Sequence, residues 1–112
     1  MNESPVFSHT YDFVRWLLPQ AIEFSRLYRF TLSERVQCGA LDFQEALIAA
    51  GLRRGAERLS HLQRADTKLA QLRHTLRLCK DLDQLTLRQY EFAAEQLAEI
   101  GRLLGAWMKN SR

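Results

Sequence analysis

Apolar residues recur along this chain at alternating steps of three and four. The longest series is Leu62, Ala65, Leu69, Leu72, Leu76 and Cys79, a seam of period 3.5 that requires a helical partner along its length. It predicts a helix from about Ala56 to Leu82. Upstream, Val36, Ala40, Phe43, Leu47 and Ala50 keep the same spacing; downstream, Tyr90, Ala94, Leu97, Gly101, Leu104 and Met108 keep it in a helix from about Leu87 to Lys109. A first helix, from about Thr10 to Leu27, sets Tyr11, Val14, Leu18, Ile22 and Ser25 on one side. Pro19 within it deletes a backbone hydrogen bond and is expected to kink it.

Two of the starts carry the same signature. Thr31 with Glu34, and Thr86 with Gln89, have the spacing of a capping box, in which each side chain satisfies a backbone donor that the helix leaves unpaired. The second helix is expected to end where Arg53 and Arg54 complement its negative end before Gly55. Connections as short as YRF, RRG and DLDQ make sequential helices antiparallel. The fold expected is all-α, an up-down antiparallel four-helix bundle in one domain spanning 1–112, with residues 1–9 as a disordered arm.

Gly101 and Gly105 interrupt the fourth helix, and each costs roughly 1 kcal/mol relative to alanine in a helix interior. Together with Ala94 and Ala98 they form a stripe of small side chains beside the seam. Such a stripe lets another backbone approach closely. We read it as packing within the subunit, with contact between subunits as the alternative. Phe92 falls on the polar face with Arg88, Glu95 and Glu99, which makes it either a lone exposed aromatic or an interface anchor.

The whole chain, 112 residues with a formal charge of +3, is only mildly basic. The distribution is uneven. From Arg53 to Lys80 there are eight basic residues (Arg53, Arg54, Arg58, Arg64, Lys68, Arg73, Arg77, Lys80) against Glu57 and Asp66, a local +6. Arg73, Arg77 and Lys80 line one flank of the third helix's seam, and Arg64 and Lys68 the other, like two rails suited to phosphate contacts. The competing reading is a solvated face whose arginines pair with Glu91, Glu95 and Glu99 of the fourth helix. No aromatic residue interleaves with this basic run, so any binding is expected to be electrostatic and weakly selective for sequence.

Other chemistry finds little support. The longest apolar stretch, ALIAAGL, is far short of the ~20 residues that span a bilayer, and MNESPVF lacks an export signal, so a cytoplasmic protein without membrane contact is expected. Cys38 and Cys79 form no CxxC pair and are read as reduced, small, buried groups. Glu57 and His61 lack the second pair that a di-iron bundle needs; there is no phosphate loop and no nucleophile elbow. No metal, no cofactor and no catalytic activity are expected.

Four segments, WLLPQAIEFSRLYRFTLSERV, ALDFQEALIAA, ADTKLAQLRHTLRL and LTLRQYEFAAEQLAEIGRLLGAWMK, resemble the Avd (accessory variability determinant) proteins of diversity-generating retroelements. More distantly they resemble the four-helix-bundle proteins encoded in intervening sequences of 23S rRNA genes. The most specific pieces are LRHTLRL, LRQYE and EIGRLLGAW. The resemblance implies a homo-oligomer, a pentameric barrel, that associates with the retroelement's reverse transcriptase and binds RNA or DNA during mutagenic copying. By position it gives Arg73 and Arg77 the nucleic-acid-contacting role, and Arg102 of GRLLG either that role or one in holding subunits together. The charge pattern, apart from the resemblance, adds Lys80, Arg64, Lys68, Arg58 and Arg54 as nucleic-acid candidates, and the small-residue stripe and the face of the fourth helix make Ala98, Gly101, Gly105 and Phe92, with Arg102, the candidates for oligomer or helix packing. Two departures stand out: KNSR in place of a long basic tail, and FSRLYRF where relatives often have Phe-Pro before the second helix.

Overall fold

In the computed structural model, which describes residues 4–111, four helices run up and down in a body of 43 × 24 × 23 Å. They are α1 (Pro5–Ile22), α2 (Glu34–Gly51), α3 (Gly55–Asp81) and α4 (Leu87–Asn110). The third helix buries Leu62, Ala65, Leu69, Leu72, Leu76 and Cys79, the full seam that the spacing predicts, and α2 buries Val36, Ala40, Phe43, Leu47 and Ala50 with Ala46 beside them. α4 begins with the expected capping box. The Gln89 N–H donates to Thr86 Oγ1 at 3.1 Å, and the Thr86 N–H donates to Gln89 Oε1 at 2.9 Å.

The structure corrects the first third of the chain. Residues 5–9 are helical rather than an arm, because Pro5 occupies the first turn, where its missing N–H costs nothing; residues 1–3 lie outside the described residues. α1 buries Val6, Thr10, Phe13, Val14, Leu17 and Ala21, while Tyr11 and Ile22 face outward. The buried stripe is thus turned by about one residue from the expected side. The helix continues through Pro19 and ends at Ile22, earlier than expected.

From there the chain takes a 3₁₀ turn (Arg26–Tyr28) and a π-helical turn (Arg29–Ser33) directly into α2. Thr31 therefore lies inside the π turn and caps nothing. What ties this junction is Ser33, whose buried hydroxyl donates to the Ala21 carbonyl at 2.7 Å and accepts from Gln37 Nε2 at 3.1 Å. Arg53 and Arg54 stand beyond the end of α2, and Gly55 opens α3 at φ +59, a left-handed conformation that costs glycine no steric strain. Cys79 is buried as expected, but Cys38 is exposed.

Two polar ties align the end of the bundle where α1 meets α4. Gln84 Oε1 accepts from the Ser25 N–H at 2.7 Å, and Gln89 Nε2 donates to Gln20 Oε1 at 2.9 Å. Beyond them Ile22, Leu27, Phe30 and Leu87 are all strongly exposed, with Leu27 at 86%.

Candidate nucleic-acid interface

The third helix carries the basic residues because its core seam occupies only one side, and the positions flanking that seam remain polar. Their tertiary surroundings divide them into three groups. In the first, arginine is committed to holding the bundle together. Arg58 lies half-buried, its Nε donating to the Ala50 carbonyl at 3.0 Å and its guanidinium 5.6 Å from the Trp107 ring centroid. Trp107 in turn meets Phe7 edge to face at 5.6 Å. Arg58 thus joins the C-terminal turn of α2 to α4 and α1, with its Nε engaged on the Ala50 carbonyl.

The second group is engaged locally. Lys80 lies 3.3 Å from the Asp81 carboxylate and 5.0 Å from the Tyr90 ring centroid. Arg53 pairs with Glu57 at 3.6 Å, and Arg64 Nη2 lies 3.1 Å from His61 Nδ1. Arg73 belongs here as well. It crosses to α4, where Nη2 donates to the Leu97 carbonyl at 2.9 Å.

The third group is Arg54, Lys68 and Arg77, for which the structure shows no ion pair among the described residues. Arg54 flanks the start of α3 and Arg77 stands exposed one turn beyond Arg73. Lys68 lines an open groove of about 820 Å³ between α2 and α3, with Arg35, Asp42, Asp66 and His74 around it. Arg35 on α2 is a basic contributor that inspection of the third helix alone misses.

The quenching of α3 by α4 carboxylates that the competing reading requires is not seen among the described residues. Glu99 is held by Arg102 of its own helix, with Nε at 2.9 Å from Oε1 and Nη2 at 2.6 Å from Oε2. That hydrogen bonding, reinforced by the charge of Arg102, keeps the Glu99 carboxyl below its usual range and lifts the Arg102 guanidinium above its own. Arg102 is therefore engaged within α4.

The small-residue stripe does not pack as expected. Ala94, Ala98 and Gly105 are exposed, and a Cβ on Gly105 would meet nothing within 4 Å. Only Gly101 is closely approached, and by a side chain rather than a backbone: a Cβ there would come 2.5 Å from Arg73 Nη2. Phe92 is 41% exposed and its ring lies 4.7 Å from that of Trp16, so it is partly an α1–α4 contact.

Between α3 and α4 a groove of about 230 Å³ is lined by Arg73, Leu76, Tyr90, Ala93, Ala94, Leu97 and Ala98. Tyr90 supplies the aromatic that the basic run of α3 lacks. The signal for it lay in the short DLDQ connection, which folds the start of α4 back beside the end of α3. Among the described residues no helix is long and apolar enough to cross a membrane.

Comparison with known proteins agrees with this architecture. A crystal structure of a protein of unknown function from the S23 ribosomal protein family of Bacteroides thetaiotaomicron superposes with a TM-score of 0.85 at 18% identity, covering 93% of this chain and 95% of that one. At that identity the likeness shows the fold. No curated protein matches. Residues 6–111 match the model of a family described as bAvd-like, and the chain belongs to that family.

Proposed function

We propose that this protein is a noncatalytic accessory subunit of a diversity-generating retroelement. In this reading it binds template RNA or its cDNA copy in the cytoplasm and presents it to the reverse transcriptase. The observation that carries the proposal is the basic charge on α3 and just before it: Arg54, Lys68 and Arg77 make no ion pair among the described residues, with α4 carboxylates or any other. Membership of the bAvd-like family supports the retroelement context. Phosphate contacts by such residues release counterions and depend little on sequence.

The working form is a homo-oligomer, pentameric by the family resemblance. Exposed Phe92, Leu27 and Phe30 offer apolar surface for contact with other subunits or with the reverse transcriptase. That same surface supports a second reading, a structural module that binds only protein.

Titration of labelled RNA at several salt concentrations separates the two. With Arg77→Ala, the log-log salt slope should fall by about 0.7 for a single strand. A slope identical to that of the unaltered protein, or no binding at low salt, would leave the protein-only reading. Light scattering gives the number of subunits.

A further inference from the structure

We propose that the α3/α4 groove seats one unpaired base of a single-stranded nucleic acid, with the adjoining phosphates on Arg73 and Arg77; the inference rests on the nucleic-acid reading above and names the part of the ligand that the groove selects. The lining is mostly apolar, Leu76, Ala93, Ala94, Leu97 and Ala98 with the half-buried Tyr90, and includes the Arg73 guanidinium. A flat ring with an anion attached matches that combination of surfaces, and an isolated phosphate does not. The volume of about 230 Å³ lies below the range of sites for drug-sized ligands and suits a single ring system.

The guanidinium in that lining is oriented. One nitrogen of Arg73 is fixed on the Leu97 carbonyl, and its other N–H groups make no hydrogen bond to the described residues, so a planar donor set stands fixed in the groove. Arg77 follows one turn on, about 6 Å along the axis at 1.5 Å per residue, comparable to the spacing of successive phosphates on one strand. Lys80, outside the lining, lies 5.0 Å from the Tyr90 ring centroid and 3.3 Å from the Asp81 carboxylate. A duplex keeps its bases stacked inside the helix and cannot place one in a cleft between two α-helices, whereas a single strand can splay one out.

The groove can be filled without touching a charge. Ala94→Leu places an aliphatic side chain at an exposed helix position that forms part of the lining. Fluorescence anisotropy would compare a labelled oligouridine with a blunt-ended RNA duplex of equal charge, on the full chain and on Ala94→Leu, Tyr90→Leu and Tyr90→Phe. Ala94→Leu and Tyr90→Leu should weaken oligouridine binding about tenfold, the loss of roughly one stacked base. The salt slope and duplex binding should stay unchanged, and Tyr90→Phe should bind as the parent does.

Ala94→Leu binding oligouridine as tightly as the parent, while the parent's salt slope remains steep, overturns the groove and leaves the electrostatic reading standing. A change in particle mass with unchanged affinity per chain also overturns it, in favour of a second copy of the chain as occupant. Absence of binding to either RNA by the parent removes the wider proposal as well.

Discussion

Arg73 lies over Gly101: its Nη2 donates to the Leu97 carbonyl at 2.9 Å, and a Cβ on Gly101 would stand 2.5 Å from that nitrogen. In a regular helix that carbonyl already accepts the Gly101 N–H, so the arginine adds a second donor to a satisfied acceptor. Gly101→Ala therefore trades two modest quantities. The helix gains up to about 1 kcal/mol in propensity, and the protein loses about the same in a displaced hydrogen bond. The expected result is a melting temperature within a few degrees of the parent, with binding of single-stranded RNA weakened because Arg73 is no longer held beside the α3/α4 groove. A loss of several kcal/mol would show that the glycine serves a backbone contact instead.

Arg58 should behave as a stability residue. Arg58→Ala removes a charged hydrogen bond to Ala50 and a cation–π contact with Trp107, for a cost of about 2 kcal/mol. Arg58→Lys should recover little of it, because an ammonium has neither the Nε donor nor the flat face. Thermal melts read the cost, and the RNA salt slope of either variant should match the parent's.

Thr10 presents the opposite case. It is 2% exposed, and its hydroxyl oxygen has no hydrogen-bond partner among the described residues. Thr10→Val keeps the shape and removes the desolvated hydroxyl, so stability should rise by up to about 1 kcal/mol. In a domain of this size that is roughly 4–8 °C in Tm. A fall would mean that the hydroxyl has a partner.

The two cysteines should differ sharply. Cys38 is exposed and should react promptly with a chromogenic disulfide, whereas Cys79 should react only after denaturation. Burial pushes the Cys79 thiol up to about 11, so the folded state holds this proton more tightly than the unfolded chain does. Its contribution to stability is thus complete below the ordinary thiol range and is lost as pH rises toward 11. Cys79→Ala should flatten that alkaline limb in chemical denaturation; two thiols reacting at equal rates in the native protein would contradict the assignment.

The sequence by itself determined the four helices, the seams of α2 and α3 and the Thr86–Gln89 cap. These depend on period and on side chains within one turn of each other, which are fixed by local geometry. It missed the π turn before α2 and the true face of α1, because two apolar stripes of similar strength run along α1 and only packing chooses between them. It placed the basic residues on α3 but not their engagements. Arg58 and Arg73 meet partners 8 and 24 residues away, on carbonyls that no pattern in the sequence marks. The meaning of Gly101 was likewise a tertiary matter, since the atom that needs its missing Cβ comes from the neighbouring helix.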